Sequence, residues 1–183
     1  ILVVHENRGL NPHIEDIEDT FVALFGRTRQ AVLLSDSCAL SARAAAKLKP
    51  SSPVLTFGRG GDFSAVVVSE ENGAMKLKLG GRFPVSDADV RAQGAFNAAN
   101  AAAALAASHL MGVRLADGLL AQYPGVRRRQ TVLHATSDLT VIEDYAHHPA
   151  EIRALLTSLR QRAKSRLLVV FQPHRFSRTA QFK

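Results

Sequence analysis

Four short stretches of this chain carry side chains able to do chemistry. Glu143-Asp144-Tyr145-Ala146-His147-His148-Pro149 sets acids, a phenol and two imidazoles directly before a proline. That set suits a nucleotide, with a carboxylate for ribose hydroxyls, an aromatic face for a base and a helix N-terminus for anions. The plainer reading is a polar loop with one capping residue. Asn97 and Asn100 stand three apart, on one face of a first helical turn. Each amide offers a donor beside an acceptor, as an adenine edge does. Capping by one Asn and solvent exposure of the other is the structural alternative. Arg127-Arg128-Arg129 follows Gly125 and is either a solvated charge run or includes one guanidinium aimed at a terminal phosphate. The fourth stretch, Gln172-Pro173-His174-Arg175-Phe176-Ser177-Arg178-Thr179, brings cations to what reads as the end of a strand.

The elements around these stretches follow from apolar spacing and punctuation. Leu139 to Ile142 reads as a short buried strand, and Pro149 fits the first turn of a helix running to about Ala163 with Ile152, Leu155, Leu156 and Leu159 on one face. Arg166 to Phe171 reads as a buried parallel strand, so both the Asp144 turn and His174 fall at carboxyl ends of strands, where ligands gather in open α/β sheets. Upstream, Ile1 to His5 is a strand, and Asn11-Pro12 opens a helix with Ile14, Ile17, Phe21 and Leu24 on one face. Ala31 to Leu34 and Pro53 to Phe57 are strands, with a short helix over Leu40 to Leu48 between them. The alternation predicts a partly parallel sheet with crossover helices.

Gly58-Arg59-Gly60-Gly61 lacks the Gly-Lys-Ser/Thr ending of a phosphate loop and reads as a turn into an antiparallel hairpin. Phe63 to Ser69 and Ala74 to Leu79 form that hairpin across Asn72-Gly73, and the sheet continues through Arg82 to Val85. The Ala-rich stretch after Gly94 predicts the longest helix, stopped by Gly112, with a second helix over Leu115 to Tyr123. A domain border is expected near residue 130, and Gln130 to Leu133 opens a fresh unit.

The chain has 183 residues, a net charge of +7 and 46% hydrophobic residues, enough for an aliphatic core. Trp is absent and Cys38 is the single cysteine, which excludes an internal disulfide. No apolar run has the length of a membrane span and no basic-then-apolar leader opens the sequence, so a cytoplasmic protein without membrane contact is expected. Many cations follow Gly125 without aromatic residues interleaved, which fits phosphates on a small ligand as well as a polynucleotide. The sequence opens inside an apolar run without Met, which suggests a piece of something longer.

Phe96-Asn97-x-x-Asn100-Ala, Asp144 to Pro149 and Phe171 to Thr179, taken in that order and separation, resemble the Mur ligase family of ATP-dependent peptidoglycan-building enzymes. The resemblance implies that residues 1–130 are the later part of a central ATP-binding domain and 131–183 the start of a Rossmann-like C-terminal domain. It implies ATP and Mg2+ as cofactors, UDP-N-acetylmuramate and L-alanine as substrates, and no nucleic acid as partner. By the same resemblance Asn97 and Asn100 hold adenine, and Asp144 takes ribose hydroxyls. Tyr145 and His147 lie against the nucleoside. Arg129 reaches the γ-phosphate, with Arg128 as its rival. His174, Arg175 and Arg178 orient the incoming alanine and the acyl phosphate. Arg129, His174 and Arg175 are then the catalytic candidates. The family's phosphate-loop lysine is not in these residues, and Leu10-Asn11 stands where the family carries an Asp-His pair, so no metal ligand is assigned. A peptide-recycling Mur ligase and a non-catalytic nucleotide- or nucleic-acid-binding module are the alternatives.

Overall fold

The computed structural model describes residues 2–4, 14–48, 51–116, 118–173 and 180, and the chain divides into two units, Ile1–Tyr123 and Pro124–Lys183. His174, Arg175 and Arg178, and the Leu10-Asn11 position, lie outside the described residues.

The first unit is built on β1 (Leu2–Val4), α1 (Ile14–Arg27), β2 (Val32–Ser35), α2 (Ala39–Leu48), β3 (Val54–Gly58), β4 (Phe63–Glu71), β5 (Ala74–Gly81), β6 (Asp87–Val90) and α3 (Ala95–Leu110). The sheet has the order β1-β2-β3-β4-β5-β6, parallel from β1 to β4 and antiparallel from β4 to β6. β2 is buried along its whole length because both its faces are covered. Val32 and Leu34 pack with Phe25, Ala44 and Ala45, while Leu33 faces Leu55, Phe57 and the alanines of α3. Each large side chain buried this way contributes about 1.5–3 kcal/mol. β5 alternates instead, with Met75, Leu77 and Leu79 buried and Lys76 and Lys78 exposed, as befits a strand with one wet face.

Several expectations need correction. On α1 the core position is Phe25, fully buried, while Leu24 is 42% exposed; the larger ring, four residues after Phe21, takes the core side. The third antiparallel strand lies at Asp87–Val90, not Arg82 to Val85. Gly81, at φ 67, turns the chain there, and Arg82 N–H is drawn to the Asp62 carbonyl at 2.8 Å. The turn at Asn72 and Gly73 does form, with φ 51 and 81.

α3 ends as expected at Gly112, whose φ of 83 permits a Schellman closure: Val113 N–H donates to Ser108 O and Gly112 N–H to His109 O, both at 2.9 Å. The helix expected over Leu115 to Tyr123 does not form. Gly118 at φ 73 interrupts it, and the bonds from Leu119 to Ala116, Ala121 to Gly118 and Tyr123 to Leu120 each close a single turn.

The second unit contains β7 (Thr131–Ala135) and β8 (Thr140–Glu143), an antiparallel pair, followed by α4 (Pro149–Arg162). Leu139 and Val141 are exposed and Ile142 half-buried, so β8 is not the buried strand that its apolar run suggests. Residues 166 to 171 form no strand either, since no described residue pairs with them; Leu168 and Val170 are 80% and 101% exposed.

Candidate functional site

In the second unit Arg129, Asp144, Tyr145 and His147 lie around the step from β8 into α4. His148 is the N-cap of α4: its extended backbone (φ −92, ψ 141) redirects the chain, and its Nδ1 accepts from Ala150 N–H at 3.2 Å. Glu151 closes a capping box, its Oε2 accepting from the backbone N–H groups of His147 at 3.2 Å and His148 at 3.4 Å. Burial pushes the Glu151 carboxyl up. Those two amides, with the charges of His147 and Arg129, outweigh burial and hold it below its ordinary value.

With that cap in place, the preceding residues have little freedom. His147 Nδ1 lies 3.1 Å from the Tyr145 carbonyl oxygen and 3.6 Å from Glu151 Oε2. The rings of Tyr145 and His147 meet edge to face at 5.3 Å, leaving Tyr145 exposed enough to offer a face to a ligand. Asp144 accepts from Ala146 N–H at 2.7 Å through Oδ1 and from Gln130 N–H at 2.9 Å through Oδ2. A carboxylate has about four acceptor sites, so capacity remains for hydroxyl donors.

The arginine loop is tied to the same turn. Arg128 and Gln130 both adopt left-handed backbone, at φ 61 and 50. Arg128 Nε donates to Glu143 Oε1 at 2.9 Å, and its Cζ sits 4.8 Å from the centroid of the Tyr145 ring. Arg128 O accepts from Tyr145 N–H at 2.8 Å, and Arg162 Nη2 donates to Gln130 Oε1 at 2.5 Å. Between these two pinned residues stands Arg129. It is exposed, and its guanidinium makes no hydrogen bond or ion pair among the described residues.

In the first unit, Asn97 is half-buried at the start of α3 and spends one amide N–H on Gln93 O at 2.8 Å, a bond that does not use its Oδ1 acceptor. Asn100, one turn on, is exposed. Glu70 anchors the N-terminus of this helix by accepting from Gly94 N–H at 3.2 Å.

Sequence reasoning missed Glu143, Gln130, Glu151 and Arg162 as parts of this framework. Glu151 had a signal, an acid three residues after the N-cap. The pairing of Arg128 with Glu143 had none, because fifteen residues and a hairpin separate them. Among the described residues no group of three or more His, Cys, Asp or Glu could hold a metal ion. No helix among them is long and apolar enough to cross a membrane.

Residues 127–182, which include this turn, match the family Mur ligase, glutamate ligase domain. The chain belongs to the Mur ligase family. It is 42% identical over 105 residues to UDP-N-acetylmuramate--L-alanine ligase of Rhodopseudomonas palustris (strain TIE-1), covering 55% of this chain and 22% of that protein. It is 33% identical over 136 residues to the protein of the same name from Bradyrhizobium sp. (strain BTAi1), covering 68% of this chain and 29% of that one. The chain thus spans less than a third of these Mur ligases. Among solved structures, folylpolyglutamate synthetase from Lactobacillus casei shares the fold with a TM-score of 0.63 at 18% identity, over 89% of this chain and 42% of that one. The mixed α/β architecture is therefore that of Mur ligases and folylpolyglutamate synthetases.

Proposed function

We propose that this chain is part of an ATP-dependent, amide-forming ligase of peptidoglycan precursor synthesis that adds L-alanine to UDP-N-acetylmuramate. The observation that carries the reading is Arg129, a solvent-facing guanidinium held between two pinned residues beside the capped Asp144 turn. The names of the relatives supply the substrates.

In this reading residues 1–130 belong to the ATP-binding domain and 131–183 begin the C-terminal domain. A muramoyl carboxylate oxygen attacks the γ-phosphorus of ATP, the bond to the β-γ bridging oxygen breaks, and ADP leaves. The alanine amine then attacks the acyl carbon, phosphate departs with the former carboxylate oxygen, and the amine gives up a proton. Arg129 neutralises charge on the transferring phosphoryl group, the role for which an exposed planar donor suits best. Asp144 accepts ribose hydroxyls with its remaining lone pairs, while Tyr145 and His147 offer their surfaces to the nucleoside. Asn97 and Asn100 receive adenine; with one Asn97 N–H held by Gln93, its Oδ1 suits a base edge that donates. His174, Arg175 and Arg178 orient alanine and the acyl phosphate. Mg2+ would supply positive charge to the phosphates of ATP, and no residue of this chain is assigned to hold it. The work is done in the cytoplasm, where the nucleotide-linked sugar is available.

The test is phosphate release by the full-length protein with ATP, UDP-N-acetylmuramate and either L-alanine or a tripeptide. Release that depends on L-alanine supports the reading. Release with the tripeptide alone replaces it with peptide recycling, and release with neither refutes it.

A further inference from the structure

We propose that Arg128 is a positioning residue that sets the direction of Arg129, and is not itself a phosphate ligand. The inference rests on the proposed ligase reading and deepens it.

The Arg128 guanidinium is engaged at its Nε and on one face. Its Nε donates to Glu143 Oε1 at 2.9 Å, and the guanidinium carbon stacks at 4.8 Å over the Tyr145 ring. Its backbone is engaged as well, with N–H donating to Thr131 Oγ1 and the carbonyl accepting from Tyr145 N–H. A guanidinium so committed would have to leave an ion pair and an aromatic face to reach an anion. Arg129 has only its longer-range attraction to Glu151 to give up.

The backbone on either side explains why this matters. Arg128 and Gln130 sit at φ 61 and 50, a region that residues with a Cβ enter only where their surroundings hold them. The holding contacts are identifiable: Glu143 and Tyr145 on Arg128, and Asp144 and Arg162 on Gln130. Two left-handed residues with one residue between them fix the direction in which that residue leaves the chain. Loss of the Arg128 latch frees one side of the arch, and Arg129 then samples directions away from the anion. The same Asp144 carboxylate that is proposed to meet ribose also grips Gln130, so nucleoside binding and arginine placement share a strut.

The experiment is a double-mutant cycle in the full-length protein, reading kcat and KM for ATP, with melting temperature as the folding control. Arg129→Ala is expected to lower kcat roughly a hundredfold or more. Arg128→Ala and Glu143→Ala should each lower kcat about tenfold with KM changed less, and the Arg128→Ala/Glu143→Ala pair should be no slower than Arg128→Ala alone. Arg128→Ala added to Arg129→Ala should cost nothing further. Arg128→Lys, which keeps the charge and can reach Glu143, should recover part of the loss and serves if the alanine variant unfolds. Multiplying losses for Arg128→Ala and Arg129→Ala, with Glu143→Ala silent, would show Arg128 on the anion and overturn the inference. Full activity in Arg129→Ala would also overturn it. Absence of L-alanine-dependent phosphate release in the wild type is the separate failure of the ligase reading.

Discussion

Gln130 N–H donates to Asp144 Oδ2 at 2.9 Å, joining the arginine loop to the turn that opens α4. Asp144 is thereby both a candidate ligand for ribose and a brace for the loop. Asp144→Asn keeps the shape but can present its amide nitrogen to Gln130 N–H and removes the charge that strengthens the bond. The expected outcome is a loss of ATP affinity of about ten- to a hundredfold in the full-length protein, measured by calorimetric titration, together with a slower kcat. An effect on KM alone would separate the two roles and leave only the ribose contact.

Acid should loosen the start of α4. Glu151 has its pKa held below the ordinary carboxylate value of 4.5, so its stabilising contribution is complete above that value and is lost as pH falls through the lowered one. Glu18, lowered by its hydrogen bond to Lys47 at 2.7 Å, follows the same sign for the contact between α1 and α2. Glu151→Gln should therefore flatten the pH dependence of unfolding between about pH 5 and 3, as urea titrations at a series of pH values would show. An unchanged slope would remove Glu151 as a contributor.

The core of the first unit turns on Phe63, fully buried and in edge contact with Phe83 at 5.0 Å and His109 at 5.9 Å. Phe63→Ala should cost about 3–5 kcal/mol of unfolding free energy in denaturant titrations. A cost below about 1 kcal/mol would show that the site collapses or that the ring is not packed as described.

Gly73 offers a backbone test free of packing. A Cβ there would meet nothing within 4 Å, yet φ is 81. Gly73→Ala should destabilise by about 1–2 kcal/mol through conformation alone. A neutral result would mean that the hairpin turn has another geometry.

The 183 residues expressed alone are expected to show no ATP turnover, because the sequence carries no Gly-Lys-Ser/Thr phosphate loop. Steady phosphate release from the purified polypeptide would contradict this.

Local chemistry decides which features could be read before any coordinates. Asn72-Gly73 and Gly112 announce their turns because left-handed backbone strongly favours those residue types. The alternation of strands and helices in the first unit was equally legible, since each covered strand is a short apolar run. Spacing could not tell Phe25 from Leu24 on α1, where ring size settled the matter, nor foresee that Gly118 would break a helical pattern. The run from Leu167 to Phe171 has strand composition, but composition supplies no neighbour to pair with. At the site, the types and order of Asp144, Tyr145, His147 and Arg129 were visible. The latch was not, because left-handed backbone at an arginine and a glutamine carries no sequence signature.

Activation of a carboxylate by ATP for attack by alanine leaves an isotopic trace. UDP-N-acetylmuramate labelled with 18O in the muramoyl carboxylate would be turned over by the full-length protein with ATP and L-alanine, and the released phosphate examined by mass spectrometry. With both carboxylate oxygens labelled, passage through an acyl phosphate puts one 18O atom in each phosphate formed. Phosphate free of 18O would contradict it.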